Sequence, residues 1–301
     1  MAEISAQLVK QLRDATAAGM MECKKALVEA NGDLNEAQVI LRKRGLATAA
    51  KKASRSAKEG LIGLYVSPSG SEGLLVEVNC ETDFVAKTPD FVALVEEVKQ
   101  IILEGKPADV AALLALPSKS EPAVSVADLL TNKIAKVGEN MGVPRFALVQ
   151  AAGVLGSYTH PGSKLVVLVD VTCKNAATKE TPAFKELVQD LAMQVAAADP
   201  KFLTKAFVTE EYIAKEKEIQ RARALAEGKP EKIVDKVVEG RMSKFYEEVC
   251  LLDQPFIKEN SLTITQLLAD KSKQVGDELG VASFVRFKVG ETAAAEVPAT
   301  E

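Results

Sequence analysis

The sequence predicts an α+β fold with a three-helix unit, a duplicated strand-strand-helix core and an inserted antiparallel helical hairpin. Three observations predict it. Apolar residues recur at helical spacing through the first 45 residues, a 39-residue segment occurs twice, and a charge-rich helical stretch is divided by Gly228-Lys229-Pro230. Two strand-strand-helix units of this kind would form a duplicated α+β core.

Composition argues against several classes of function. The chain has 301 residues, 38 of them basic and 42 acidic, so it lacks the positive field that a nucleic acid ligand requires. No apolar run approaches the roughly 18 residues of a membrane span. Residues 1–5 also lack the basic and apolar regions of a signal peptide. We therefore expect a cytoplasmic protein that binds neither nucleic acid nor a membrane directly.

Residues that carry chemistry are scarce. The four cysteines are scattered without a C-x-x-C pair, and His160 is the only histidine, so neither a zinc site nor a thioredoxin-like motif is indicated. The glycine-rich loops that bind nucleotide phosphates and the G-x-S-x-G motif are also missing from the sequence. No metal or cofactor is expected, and an active site would have to consist of carboxylates.

The first unit, residues 1–46, is predicted to form three short helices. Asp33 with Glu36 resembles a capping box, and Gly45 stands where a C-cap glycine would end the third helix. A unit this small is marginally stable alone and is usually a docking module. Its apolar groups at helical spacing are Leu8, Val9 and Leu12; Met20, Cys23 and Leu27; and Leu34, Ala37 and Leu41.

Residues 47–59 are predicted to form a basic linker. Four cations and no acid lie between residues 46 and 58, and no aromatic residue stands among them to stack on bases. We interpret the segment as a solvated tether rather than an RNA-binding patch.

An internal repeat predicts the core. Residues 60–98 align without a gap with residues 153–191, and 13 of the 39 pairs are identical. Each copy has the pattern of two strands followed by a helix that begins at a Thr-Pro pair, Thr88-Pro89 in the first copy and Thr181-Pro182 in the second. The predicted units are core repeat 1 at 60–152 and core repeat 2 at 153–208.

The last third of the chain has three predicted parts. Residues 209–249 form the helical hairpin, in which Pro230 begins the second helix. Residues 250–290 complete the core with a short helix near Thr265–Lys271 and a strand at Ala282–Val289. Residues 291–301 are predicted to be a disordered tail.

The two copies differ in the connection after the second strand. The first copy has Asp83-Phe84 where the second has Ala176-Ala177, so this turn does not itself need Asp or Phe. One alternative buries Phe84 in the local core and makes Asp83 a turn cap. The other makes Phe84 a wedge that enters a partner's apolar pocket, with Asp83 competing for polar contacts.

The single histidine lies in the turn of the second hairpin, where the first copy has Ser67. A turn histidine is usually only exposed. The aromatic ring and switchable charge of His160 would also suit a second contact point.

A series of short motifs along residues 3–290 carries a family resemblance. They are Val9–Arg13, Gly19–Leu27, Glu77–Val85, Gly138–Asn140, Tyr158–His160, Glu239–Met242, Gln254–Phe256 and Phe284–Gly290. In these motifs and their order the chain resembles the elongation factor Ts family of bacteria and organelles.

The resemblance implies that the chain promotes guanine-nucleotide exchange on elongation factor Tu, which it would bind in GDP-bound and nucleotide-free states. It implies that the first unit is ubiquitin-associated-like and docks on the partner. It leaves open whether the hairpin mediates self-association or contacts the partner. The implicated residues are Arg13, Met20 and Met21 in the docking unit, Thr82, Asp83, Phe84 and Val85 beside the partner's magnesium site, and His160 as a second wedge.

Two other functions are weighed against exchange. An enzyme would need a carboxylate pair, and the best acidic cluster is Glu77, Glu81 and Asp83 around one strand end. A protein-binding scaffold or chaperone-like module would bind through the three-helix unit without changing nucleotide release. We rank both below exchange.

Overall fold

Three helices occupy the start of the computed structural model, which describes residues 4–16 and 18–292. They are α1 (Ala6–Thr16), α2 (Met20–Glu29) and α3 (Leu34–Lys52). Leu12, Cys23, Leu27 and Ala37 are fully buried between them. All four belong to the apolar groups that the sequence places at helical spacing.

The third helix does not end at Gly45, and the C-cap prediction for that residue is wrong. The helix continues to Lys52, into the segment predicted as a linker, because residues 46–52 are helix formers without proline. Gly45 is buried inside the helix, where an added Cβ would lie 3.6 Å from the Cβ of Ala135. That distance is an ordinary van der Waals contact, so α3 packs against a later helix here without requiring glycine.

The first sheet has three antiparallel strands in the order β1-β2-β3, with helices between the second and third. Thr88 caps the long helix and Pro89 occupies its first turn, as predicted. The third strand and the two helices before it are not anticipated by the sequence analysis. The elements are β1 (Glu59–Val66), β2 (Glu72–Cys80), α4 (Asp83–Ala86), α5 (Pro89–Gly105), α6 (Val110–Ala115), α7 (Val126–Val137) and β3 (Met141–Gln150).

The second sheet has the antiparallel order β4-β5-β8, and a small two-stranded sheet accompanies it. Thr181 caps its long helix, again with proline in the first turn. The elements are β4 (Val154–Thr159), β5 (Leu165–Cys173), α8 (Pro182–Ala198), α9 (Glu210–Ala226), α10 (Glu231–Val249), β6 (Pro255–Phe256), β7 (Glu259–Thr263), α11 (Ile264–Val275) and β8 (Leu279–Lys288).

The two sheets pack face to face, and each carries a long helix on its outer face. Leu75 of β2 lies in one apolar cluster with Val166 and Leu168 of β5. The alternate residues of β2 pack against α5, and those of β5 pack against α8. Both central strands are buried on two faces, so their sequences are almost continuously apolar.

Helices α9 and α10 form the antiparallel hairpin between the second sheet's helix and its last strand. Their shared core includes Ala224, Val234 and Met242. Pro230 lies one position before the helix, at the N-cap of α10 rather than in its first turn. Among the described residues, no helix is both long and apolar enough to cross a bilayer. The predicted tail at 291–301 lies outside the described residues from 293 onward.

Candidate functional site

Phe84 is the most exposed of the large apolar side chains among residues 4–16 and 18–292, with 81% of its surface accessible. It lies in the single turn of α4, directly after the buried strand β2. Ala86 of the same turn is buried, and Val85 packs against the first core. The alternative that places Phe84 in the local core is therefore wrong: the turn buries its other side and presents the phenyl ring to solvent.

The turn that carries Phe84 is held at both ends. Thr82, and not Asp83, is its N-cap, since the Thr82 hydroxyl accepts the Val85 N–H at 3.4 Å. At the other end, the Thr88 hydroxyl donates to the Val85 carbonyl at 2.8 Å. One helical turn is not stable by itself, so these bonds determine where the ring points.

A carboxylate from a distant segment fixes the entry to this turn. Glu139 accepts the backbone N–H groups of Glu81 and Thr82 at 3.2 and 3.0 Å. It also accepts the Thr82 hydroxyl at 2.7 Å. In return, Glu81 accepts the backbone N–H of Asn140 at 2.6 Å. The two segments therefore hold each other through reciprocal hydrogen bonds.

Asp83 is half-buried and forms an ion pair with Lys87, at 2.7 Å between carboxylate and ammonium. The Lys87 hydrogen bond lowers the pKa of the Asp83 carboxyl, and the charge of Lys164 acts in the same direction. Asp83 therefore carries a full negative charge at neutral pH. Its only ion-pair partner among the described residues is the exposed Lys87, which a competing ligand can displace at low cost.

His160 lies in the turn between β4 and β5. Its turn contacts β1, because the Ile62 N–H donates to the Ser163 carbonyl at 2.9 Å. Lys164 of this turn forms an ion pair with Glu59, which is opposite Cys80 in the sheet register. The ring is exposed, and its Nδ1 lies 3.1 Å from the Tyr158 hydroxyl.

The remaining predicted contact residues belong to the three-helix unit. Met20 and Met21 begin α2 with 46% and 65% of their surfaces exposed. Arg13 lies in the last turn of α1 and is also exposed. The turn that contains His160 borders β1 of the first sheet, whereas these three residues belong to helices α1 and α2.

The three carboxylates considered for an enzyme do not form one site. Glu77 is fully buried and pairs with Arg145 at 2.7 Å. Glu81 binds the Asn140 N–H, while Asp83 faces Lys87. Within residues 4–16 and 18–292, no group of three or more His, Cys, Asp or Glu side chains has a metal-binding arrangement.

The role of Glu139 is not predicted from the first repeat, although a second internal alignment contains the signal. Residues 125–150 align with 263–288 at a shift of 138 residues. Helix α6 separates this segment from the repeat in the first copy, and the hairpin does so in the second. In this alignment Gly138 matches Gly276 and Glu139 matches Asp277. Both glycines are left-handed caps that end a helix just before the third strand of a sheet.

Comparison with known proteins gives one family. The family model described as elongation factor TS matches residues 81–291. The chain is 47% identical over 289 residues to elongation factor Ts of Clostridium perfringens (strain SM101 / Type A), which covers 96% of this chain and 93% of that protein. Elongation factor Ts of Clostridium botulinum (strain Alaska E43 / Type E3) and of Clostridium novyi (strain NT) match with the same identity and coverage.

Proposed function

Because this chain belongs to the elongation factor Ts family, we propose that it accelerates GDP release from elongation factor Tu by inserting the Asp83-Phe84 turn beside the partner's magnesium site. Members of this family are nucleotide exchange factors and not catalytic enzymes. One observation carries the proposal: Phe84 is 81% exposed on a turn whose backbone is fixed at both ends.

Exchange needs no covalent chemistry from this chain. Binding is reciprocal. If GDP and magnesium lower the affinity of elongation factor Tu for this chain by some factor, the chain lowers the affinity of elongation factor Tu for GDP and magnesium by the same factor. Magnesium requires near-ideal octahedral geometry, so a small displacement of its ligands lowers its affinity substantially. A rigid side chain inserted next to these ligands is sufficient to produce such a displacement.

Phe84 and Asp83 have different parts in this proposal. The Phe84 ring fills an apolar pocket on the partner, where burial of one aromatic side chain can dominate the binding energy. Asp83 gives up its exposed pair with Lys87 and takes polar contacts from the partner's segment beside magnesium. Thr82 and Val85 hold the turn between them in the inserting conformation.

The other proposed contacts orient the chain on elongation factor Tu, so that the Phe84 ring meets its pocket. Arg13, Met20 and Met21 bind the partner's GTPase domain, and the two exposed methionines adapt their shape to its surface. His160 makes a second contact from the neighbouring turn. The hairpin exposes Ile219 and Ile233, which serve self-association or a further partner contact. The protein acts in the cytoplasm, on both GDP-bound and nucleotide-free partner.

The architecture also bears on how the core of this chain arose. We infer that residues 1–46 are ubiquitin-associated-like and that the two sheets with their outer helices are copies of one unit. The repeat at a shift of 93 residues supports the first two strands and the long helix. The alignment at a shift of 138 residues supports the last helix and the third strand, with α9 and α10 inserted in the second copy only.

The proposal is tested by the release of a fluorescent GDP analogue from purified elongation factor Tu at fixed magnesium concentration. We expect strong acceleration by catalytic amounts of the chain. Binding to elongation factor Tu without faster release would reject exchange and favour the scaffold. Turnover of a substrate by the chain alone would favour the enzyme instead.

A further inference from the structure

The exposed Phe84 ring has little packing of its own, so its direction depends on the backbone beneath it. That backbone is one helical turn, which begins at Thr82 and is too short to be stable alone. The groups that fix Thr82 therefore also fix the ring. Glu139 is the only described side chain that hydrogen-bonds the backbone N–H groups of both Glu81 and Thr82.

Glu139 is itself held in place from several sides. It follows Gly138, a left-handed residue that ends α7, and the Gly138 carbonyl accepts the Lys52 ammonium. Asn140 follows it and donates its side-chain amide to the Arg55 carbonyl at 2.8 Å. The backbone on either side of Glu139 is thus held by α7 and by the end of α3, so the Glu139 carboxylate reaches the turn from a fixed position.

The second sheet has the same arrangement without the wedge. Asp277 accepts the backbone N–H groups of Lys174 and Asn175 at 3.2 and 2.9 Å. It also accepts the Thr178 hydroxyl at 2.7 Å. The segment that it holds is a short 3-10 helix with alanines where the first copy has Asp83 and Phe84. The two carboxylates therefore make matched contacts on segments that differ in their exposed side chains.

We infer that Glu139 is a positioning residue for nucleotide exchange: by binding Glu81 and Thr82 it aims the Phe84 ring before the partner arrives. This inference rests on the proposed exchange function. Preorganisation lowers the cost of ordering the turn during insertion. Loss of Glu139 should therefore lower the maximal rate of GDP release. It should change the concentration of chain that gives half of that rate much less.

The test compares Glu139→Ala with the matched control Asp277→Ala in the release of a fluorescent GDP analogue from elongation factor Tu. Both variants lose two backbone N–H bonds and one hydroxyl bond to the held segment, and Asp277→Ala also loses the Glu278 N–H at 2.8 Å. The loss of thermal stability in Asp277→Ala should therefore be at least as large as in Glu139→Ala. Glu139→Ala should lower the maximal release rate about tenfold, the effect of losing a charge-assisted hydrogen bond, and Asp277→Ala should leave it near wild type. Equal rates for the two variants would overturn the inference.

A conservative variant and a double variant separate positioning from general damage. Glu139→Gln keeps one oxygen for the two N–H groups, so it should restore part of the lost rate. In a Phe84→Ala background, Glu139→Ala should cause no further loss, because there is no ring left to aim. A full additional loss in that background would show that Glu139 acts by another route. If the wild-type chain gives no acceleration, the exchange function fails rather than this inference.

Discussion

The Nε of Arg145 lies 2.7 Å from a carboxylate oxygen of Glu77, and Glu77 is completely buried between the two sheets. The second carboxylate oxygen accepts the Gly290 N–H at 2.8 Å. The Arg145 guanidinium also lies over the Phe287 ring, 4.1 Å from its centre. This pair joins the first sheet to the end of the last strand. Its contacts also explain why a charged Glu77 is stable in the core.

Removing the arginine should therefore destabilise the protein. Arg145→Ala leaves the buried Glu77 charge without its ion-pair partner, and we expect the free energy of unfolding to fall by about 3 kcal/mol. Chemical denaturation measures this loss. Lys174→Ala, which breaks an exposed pair with Glu278, is the control and should have a much smaller effect. Equal losses for the two variants would show that the buried pair does not join the sheets.

Two glycines are expected to differ sharply in their tolerance of alanine. A Cβ added at Gly153 would lie 2.1 Å from the backbone oxygen of Val171, whereas one at Gly142 would meet nothing within 4 Å. Gly153→Ala should cost about 2 kcal/mol or more of unfolding free energy, because a backbone atom cannot move aside locally. Gly142→Ala should change it by less than about 0.5 kcal/mol. Thermal and denaturant unfolding check both values.

Asp83 should remain ionised well below neutral pH. The Lys87 hydrogen bond lowers its pKa, so the pair is fully formed above the ordinary carboxyl value of about 3.9. Its contribution is lost only as the pH falls through the lowered pKa. Lys87→Met should raise the pKa of Asp83 toward the ordinary value, which an NMR titration of the carboxyl carbon measures. An unchanged pKa would contradict the assigned ion pair.

Docking and wedge residues should have different kinetic effects. Met20→Ala with Met21→Ala removes the proposed partner contact without altering the Phe84 turn. It should raise the concentration of chain needed for half-maximal GDP release and leave the maximal rate nearly unchanged. Val39→Ala removes an equally exposed apolar side chain of the same unit and is the control. A lower maximal rate in the methionine variant would assign these residues to insertion instead.

The periodic parts of the fold could be predicted from the sequence. Apolar spacing located the helices of the first unit, and Thr-Pro pairs located the starts of α5 and α8. The third strand of the first sheet escaped prediction because Gly142 and Pro144 interrupt its pattern. An edge strand accepts such residues, since one side of its backbone is unpaired.

The candidate site was less predictable than the fold. Comparison of the copies identified Asp83 and Phe84 as dispensable for the turn, but only the structure distinguishes a buried ring from an exposed one. Glu139 escaped detection because its partner Thr82 is distant in sequence. The matching residue Asp277 is further displaced by the inserted hairpin, so a single alignment shift cannot pair the two carboxylates.

The most direct test of the account measures GDP release from elongation factor Tu at saturating concentrations of three forms of the chain. These are the wild type, Asp83→Ala/Phe84→Ala, and Phe207→Ala, which removes another exposed phenyl ring. The account predicts that the double variant loses about thirtyfold or more of the maximal rate, as expected for an interface hot spot, while Phe207→Ala behaves as wild type. A folded double variant that releases GDP at the wild-type rate would contradict it.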